Sequence, residues 1–285
     1  MKNNDLVVTP WSDYEFIDSG NNRKLERFGK YILIRPETQA LWAPLREGEW
    51  KRAQAEFVWQ KEKGKWKAEG VPEEWEFSWG NAKGMLRLTN FKHVGVFPEQ
   101  AENWQWLKDR VNDLKTARVL NLFAYTGFAS IVAAQAGAQV THVDASRQSN
   151  AWAKENAARS WVPAERIRYI LDDAMKFVER EARRGAEYEG IILDPPAFGR
   201  GAKNEVWHIE HDLQKLLSAL VNIFSNTPGS FFLLNGYAAG YAPQSLLQSV
   251  ASFFPDTEGE FGELHLKESR SERRVPSGIY VRFVR

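Results

Sequence analysis

Apolar residues change their spacing about a third of the way along this chain. Before residue 99 they fall in short runs, such as 31–34, 57–59 and 85–88, broken by Gly48, Gly64, Gly70, Gly80 and Gly84. Short apolar runs bounded by turn residues predict β-strands. From Glu99 onward, longer periodic stretches alternate with compact apolar ones. Residues 99–114 read as a helix, and strands are predicted near 118–123, 140–144, 167–171, 189–194, 229–235, 260–267 and 277–284. Helices are predicted near 128–136, 147–159, 174–184, 205–224 and 243–254. Such alternation builds a parallel, doubly wound sheet. The link 268–277 is too short for a helical crossover, so the last two strands should pair as an antiparallel hairpin. The chain thus divides into a β-rich domain, 1–98, and an α/β domain, 99–285, with no fixed-period repeat.

Composition narrows this picture. With 285 residues and 43% hydrophobic positions, the chain can bury a substantial core. Seven of the 12 Trp lie in residues 1–98. Residues 119–143 hold no Asp, Glu, Lys or Arg and superficially resemble a membrane span. They also contain Asn121, Thr126, Ser130, Gln135, Gln139 and His142, which spans tolerate poorly, so strand, loop, helix and strand is the better reading. The N-terminus, MKNNDLVVTPW, has one Lys and no long apolar run, unlike a secretory signal. There is no Cys. That excludes disulfides, thiolate metal sites and a Cys nucleophile, and it fits a reducing cytoplasm. Lys plus Arg total 38 against 37 Asp plus Glu, so any polyanion partner must be met by a local patch.

The candidate chemistry sits where the predicted strands end, because ligands of open α/β sheets bind beyond their carboxyl ends. The strand 119–123 runs into Ala124-Tyr125-Thr126-Gly127 and a helix of small residues. Gly127 permits close backbone approach, and the helix start offers free N–H groups to a carboxylate. One glycine does not make the dinucleotide fingerprint, and an ordinary βα turn reads the same way. Asp144 ends the next strand, placed either to accept ribose hydroxyls or, like Ser146, to cap the following helix. Asp172 and Asp173 end the third. One carboxylate there would accept an adenine amino group, with Asp173 preferred, while the other caps. The fourth strand ends in Asp194-Pro195-Pro196-Ala197-Phe198-Gly199, the most specific signal in the chain. Two prolines fix the backbone and remove two donors. The carbonyls of Asp194 and Pro195 are then available to an amine, and Phe198 offers a face to a planar base.

On these residues the chain resembles the class I S-adenosylmethionine-dependent methyltransferases, particularly the bacterial large-subunit rRNA methyltransferases and their uncharacterised relatives. The matching segments are 119–127 (VLNLFAYTG), 143–146 (VDAS), 172–176 (DDAMK), 193–198 (LDPPAF) and 94–100 (VGVFPEQ), within a resemblance spanning roughly 85–285. It implies a seven-stranded sheet with an antiparallel last strand, behind a smaller β-rich domain, and S-adenosylmethionine as cofactor. By that resemblance the 125–127 loop holds the methionine moiety, Asp144 the ribose and Asp173 the adenine. Asn121, Phe123, Ala145, Ser146, Asp172 and Ala174 complete the pocket, and Phe97 and Gln100 close over the methionine end. Asp194, Pro195, Pro196 and Phe198 line the substrate side. Asn121 stands where many such enzymes carry an acid, and Ala197 where some carry Lys.

Several activities fit such a chain: methylation of RNA, methylation of a small molecule or protein, and a catalytically silent RNA-binding relative. A dehydrogenase would share the fold, but this chain lacks the glycine fingerprint. Methylation of a pyrimidine C5 commonly needs a Cys, so a ring or exocyclic nitrogen of an RNA base, rRNA above all, is the expected acceptor. No metal is expected; His208 and His211 lack a third ligand. Residues 51–67 carry Lys51, Arg52, Lys61, Lys63, Lys65 and Lys67 with Trp50, Trp59 and Trp66 interleaved. Residues 267–285 carry Lys267, Arg270, Arg273, Arg274, Arg282 and Arg285. Either stretch suits phosphates and stacked bases, and the first reads equally as the solvated face of a hairpin.

Overall fold

The computed structural model describes residues 1–60, 63–201, 205–237, 240–255 and 257–285. The chain opens with β1 (Lys2–Asn3), β2 (Leu6–Val8), β3 (Tyr14–Gly20), β4 (Arg23–Phe28), β5 (Tyr31–Pro36), α1 (Glu47–Trp50), β6 (Ala55–Gln60), β7 (Lys63–Ala68), β8 (Glu74–Trp79) and β9 (Ala82–Arg87). The short apolar runs of the sequence are the cores of β5, β6 and β9. Strands β3 to β7 form one sheet, antiparallel except that β5 and β6 run parallel. β8 and β9 form a separate hairpin. Asn21 and Asn22 turn β3 into β4 with φ of 51° and 58°. That left-handed pair matches the twist of a hairpin, and Asn tolerates it well.

Four tryptophans of this region place their N–H groups on acceptors. Trp11 donates to Ser78 O (2.8 Å), Trp42 to Ser19 Oγ (3.1 Å), Trp50 to Asp18 Oδ2 (2.8 Å), and Trp75 to Phe28 O (3.1 Å). A charged cluster lies inside the same sheet. Arg35 grips Glu26 through Nε (2.7 Å) and Nη2 (2.8 Å), Tyr14 Oη donates to Glu26 (2.9 Å), and Lys24 reaches Glu37 at 3.3 Å. Burial opposes the charge on Glu26, yet Arg35 and Lys24, with the hydrogen bonds from Arg35 and Tyr14, hold its carboxyl below the usual range.

The remaining elements are α2 (Ala101–Asn112), β10 (Arg118–Leu122), α3 (Phe128–Gln135), β11 (Gln139–Asp144), α4 (Arg147–Arg159), β12 (Ile167–Leu171), α5 (Ala174–Arg183), β13 (Gly190–Leu193), β14 (Phe198–Arg200), β15 (Val206–His208), α6 (Ile209–Val221), β16 (Phe231–Gly236), α7 (Pro243–Ala251), β17 (Glu258–Lys267) and β18 (Arg274–Val284). The seven strands expected from the sequence share one sheet in the order β12-β11-β10-β13-β16-β18-β17. β10 to β13 and β16 run parallel, and β18 is antiparallel to β16. β1 and β2 extend this sheet along β17, an addition too short for the apolar pattern to announce.

Alternation along the strands explains the double winding. Leu120, Leu122, Ile191, Leu193, Phe232 and Leu234 lie in one core with Phe177, Leu213, Leu216, Leu217 and Val250, from α5, α6 and α7. Their neighbours in sequence, Val119, Asn121, Ile192, Phe231 and Leu233, are buried too and point to the opposite face. Strands buried on both faces read as continuous apolar runs, as these do. The compact units do not follow a single cut in the chain. One comprises Met1–Leu6, Glu102–Leu264 and Ser277–Arg285, and the other Val7–Ala101 with His265–Pro276. In the latter, Ser269 N–H donates to Phe16 O (2.8 Å) and Ser19 Oγ to Glu268 (2.7 Å), pairings of residues far apart in sequence.

Removing Glu26 leaves Arg35 and Lys24 buried without their shared carboxylate. Glu26→Ala is expected to cost about 3–5 kcal/mol of unfolding free energy, the usual loss when one partner of a buried pair is deleted. Because the folded carboxyl is held low, the parent's share of this stability is present at neutral pH and is lost as acid protonates Glu26. Denaturant unfolding measures both effects. A loss within the roughly 1 kcal/mol typical of an exposed pair would refute the assignment.

Candidate functional site

The loop after β10 has an unusual backbone. Phe123, Tyr125 and Gly127 all have positive φ, at 56°, 49° and 86°. Two of the three are not glycine, so the loop stores strain and needs external support. Asp144, at the end of β11, supplies it. Tyr125 N–H donates to Asp144 Oδ2 (2.8 Å) and Ser146 N–H to Asp144 Oδ1 (2.8 Å). Asn156 Nδ2 on α4 donates to Thr126 O (2.9 Å). At Gly127 a side chain has no room, because a Cβ would lie 2.9 Å from Ala153 Cβ. Gly127 therefore lets α3 start close against α4.

The two roles open to Asp144 are separated by this geometry. Ser146 Oγ caps α4 by accepting from Ser149 N–H (3.1 Å), so Asp144 is not the cap. Its carboxylate is half-buried. Burial raises its pKa, and the N–H groups of Ser146 and Tyr125 pull in the opposite direction. Each oxygen accepts one backbone N–H and, as an ionised carboxylate, retains further acceptor capacity. Asn150, which the sequence reading missed, donates from Nδ2 to the carbonyls of Asp144 (2.9 Å) and Ser146 (3.0 Å).

At the end of β12 the division of labour is now explicit. Asp173, the residue expected at the adenine, caps α5 through Oδ1, which accepts from Lys176 N–H (3.0 Å). Asp172 accepts from Asp173 N–H (2.9 Å) through Oδ1 and is paired with Arg180 through Oδ2. Ala174 is buried at the start of α5, while Ala145 is half-buried and Ser146 exposed.

β13 delivers Asp194 beside the same loop, with Asp194 N–H directed at Leu122 O (3.4 Å). Phe198 is not in a simple turn. It begins β14, which pairs antiparallel with β15: Phe198 with His208, Gly199 with Trp207 and Arg200 with Val206. The helix expected over 205–224 accordingly starts only at Ile209. Val206, Trp207 and His208 alternate exposed, buried and exposed, a strand pattern too brief to stand out beside the helical period that follows. Trp207 fastens the hairpin. Its Nε1 donates to Pro196 O (2.7 Å), and its ring lies 4.9 Å from that of Phe123. Phe198 remains 52% exposed, with the His208 ring at 5.0 Å in an edge-on arrangement. Pro195 is buried and Pro196 exposed.

Other expected residues lie elsewhere. Asn121 is buried below the loop and donates from Nδ2 to Ser130 Oγ (2.9 Å). Phe97 and Gln100 belong to the other compact unit, where Gln100 N–H donates to Phe97 O (3.1 Å) and Phe97 lies 5.0 Å from the His93 ring. The basic residues of 267–285 do not make a common stripe. Arg282 is buried and paired with Glu260 (2.9 Å), and Lys267 is paired with Glu272 (2.8 Å). His208 and His211 have ring centroids 5.8 Å apart, and among the described residues no group of three potential ligands is arranged for a metal. Residues 119–143 are β10, loop, α3 and most of β11. No helix among the described residues is long and apolar enough to cross a membrane.

Comparison with known proteins agrees with this geometry. A solved S-adenosylmethionine-dependent methyltransferase from Agrobacterium tumefaciens is 39% identical, with a TM-score of 0.93, covering 99% of this chain and 93% of that one. A methyltransferase from Streptococcus mutans shares the fold at 16% identity, with a TM-score of 0.73 over 96% of this chain and 75% of that one. Among curated sequences, the ribosomal RNA large subunit methyltransferase K/L of Shewanella frigidimarina is 33% identical over 161 residues, or 56% of this chain and 21% of that protein. Its counterpart from a Shewanella baltica strain is 35% identical over 148 residues, or 51% and 20%. The chain thus matches about a fifth of the length of these relatives. The sequence profile of the S-adenosylmethionine-dependent methyltransferases matches residues 41–260. The chain belongs to that family and is a methyltransferase whose cofactor is S-adenosylmethionine.

Proposed function

We propose that this enzyme methylates RNA, ribosomal RNA in particular, at a ring or exocyclic nitrogen of a base, and that it does so in the cytoplasm. The observation that carries the reading is the Asp194-Pro195-Pro196 segment with an exposed Phe198 on a hairpin fastened by Trp207. Trp207 takes the Pro196 carbonyl, and on this reading Asp194 and Pro195 present theirs to the acceptor amine. The 52% exposed ring of Phe198 is suited to stack on a base withdrawn from its helix. The Shewanella relatives are named for ribosomal RNA, which supports the same acceptor class. The chain has no Cys, in keeping with attack by nitrogen instead of an activated pyrimidine carbon.

The loop and its neighbours suit the cofactor. Asp144 carries acceptor capacity for two ribose hydroxyls while staying locked by two N–H groups. The Tyr125–Gly127 turn, with no space for a Cβ at Gly127, forms a close backbone cradle for the methionine moiety. Asp173, with Asp172 and Ala174, lines the adenine side, and Phe123, Ala145 and Ser146 complete the wall. Bound S-adenosylmethionine supplies an electrophilic methyl group. The protein's own work is to hold the acceptor nitrogen in line with that methyl group and present oxygens to the N–H it loses.

RNA is held, on this reading, by the β6–β7 hairpin. Lys65 and Lys67 are exposed and Trp59 is 60% exposed. Of the other two interleaved tryptophans, Trp50 and Trp66 spend their N–H groups internally, Trp66 on Thr89 O (2.9 Å) and Phe91 O (3.1 Å). Lys61 lies outside the described residues.

Three outcomes test these assignments. Asp144→Ala should weaken S-adenosylmethionine binding by roughly 1–3 kcal/mol. In the parent, affinity should fall as acid protonates Asp144, beginning above the ordinary carboxylate range because burial raises its pKa. Calorimetry giving parent affinity in folded Asp144→Ala would remove Asp144 from the pocket. Phe198→Ala should weaken RNA binding by about 1–3 kcal/mol with cofactor affinity unchanged, whereas Asp194→Ala should lower turnover more than cofactor affinity. Loss of cofactor binding in both, with turnover kept at saturating cofactor, would place them on the wrong side. Lys65→Gln with Lys67→Gln should flatten the dependence of log affinity on log salt by about 0.7–0.9 per lost phosphate contact. Unchanged affinity and slope would make the hairpin a solvated edge. Mass spectrometry that found the methyl on a metabolite, a protein or a pyrimidine C5 would overturn the RNA-nitrogen reading.

A further inference from the structure

Three polar side chains are buried together beneath the cofactor loop, where the sheet would ordinarily hold aliphatic residues. Asn121 on β10 is 2% exposed, and Ser130 on α3 and His142 on β11 are each 0% exposed. Asn121 Nδ2 donates to Ser130 Oγ (2.9 Å), and Ser130 Oγ is hydrogen-bonded to His142 Nδ1 (3.0 Å). Burying three such groups is costly unless they satisfy one another; the two hydrogen bonds engage Asn121 Nδ2, Ser130 Oγ and His142 Nδ1, while His142 Nε2 is buried without a partner among the described residues, and the bonds favour one arrangement of the elements that carry them. The elements are the two strands and the helix whose ends bound the 123–127 loop. The histidine ring lies directly under the turn, since a Cβ at Gly127 would stand 3.5 Å from His142 Cε1.

We infer that Asn121, Ser130 and His142 form a positioning relay under the loop, and that Asn121 serves the cofactor through Ser130 instead of touching it. The loop needs such a floor. Phe123 and Tyr125 hold positive φ, a strained backbone that persists only where the surroundings over-determine it. Asp144 and Asn156 grip the loop at its backbone N–H and C=O. The relay fixes the same loop from below, by setting the separation of β10, β11 and the start of α3. Burial pushes the His142 pKa down to about 3, so the ring stays neutral and the relay keeps one bonding pattern across ordinary working pH. Three small polar groups in a row also explain why position 121 bears an amide. A carboxylate there would lose the N–H that Ser130 accepts and would bury a charge.

Substitution at Asn121 separates contact from positioning. Were Asn121 in contact with the cofactor's ammonium group, Asn121→Asp would tighten S-adenosylmethionine binding by adding an opposite charge. As the first donor of the relay, the same change should raise the Kd about tenfold or more. Ser130→Ala and His142→Phe should each raise it about tenfold, and their combination should cost less than the product of the two, because they act as one unit. Ser130→Thr, which keeps the hydroxyl, should bind as the parent does. Turnover at saturating S-adenosylmethionine should fall far less than affinity in every variant, since the acceptor side is untouched. The measurements are calorimetry with S-adenosylmethionine, thermal unfolding of each variant, and KM against kcat on any methylated acceptor. Tighter binding in Asn121→Asp, or parent Kd in a folded Ser130→Ala with only its Tm lowered, would overturn the relay. Should Asn121→Asp fail to fold, the Ser130→Ala and Ser130→Thr pair decides the matter.

Discussion

Two backbone N–H groups converge on one half-buried carboxylate, and the strained loop after β10 rests on that meeting. Asp144 draws Tyr125 from the end of β10 and Ser146 from the start of α4 onto opposite oxygens. The effect is to pin a loop with three positive φ angles against the adjoining strand. The two N–H groups also favour the ionised form, against the burial that raises the carboxyl's pKa. A hydrogen-bond donor on each oxygen orients the carboxylate before any ligand arrives, which reduces the cost of ordering it on binding. Helix capping, which would otherwise occupy such an acid, is taken over by Ser146 at one strand end. At the next strand end Asp173 keeps it.

The segment after β13 is built by a different device. The two prolines after Asp194 stiffen the chain without supplying donors. What anchors them is the indole of Trp207, which reaches back over eleven residues to Pro196 and also packs on Phe123. The same residue thus joins the acceptor segment to the loop after β10. Phe198 stays exposed because its strand is one half of a short surface hairpin. An exposed aromatic carried on paired strands is held more firmly than one on a free loop.

In the β-rich unit, stability is drawn from sources unlike those of the α/β sheet. Glu26 sits among Arg35, Lys24 and Tyr14, so the charges favour one register of β3, β4 and β5. The aromatic side chains fill the remaining space, with Tyr14, Phe28 and Phe77 packed edge to face or tilted at centroid distances of 5.3 and 6.0 Å. Such a core is specific in a way that an aliphatic one is not, since each indole N–H and each charge must find its partner.

Much of the α/β unit was legible in the amino-acid order. Strands buried on both faces appear as unbroken apolar runs, and helices with a single buried stripe show their own period, so β10 to β13, β16 and their helices follow from local pattern. Strand ends were legible for the same reason, and with them Asp144, Asp173 and Asp194. Tertiary structure showed that Ser146 caps α4 and Asp173 caps α5, which the sequence could not separate because a cap and a ligand contact demand the same residue at the same place. It decided the β14–β15 hairpin as well: three residues on each side carry too little period, and Trp207 shows its role only when Pro196 and Phe123 lie beside it. The pairing of residues 265–276 with the β-rich unit and of 1–6 with the α/β unit came from contacts between distant parts of the chain. So did the partnership of Asn121, Ser130 and His142. Local sequence fixes the direction in which each side chain leaves its strand or helix, while only the packed fold brings those side chains within hydrogen-bonding distance.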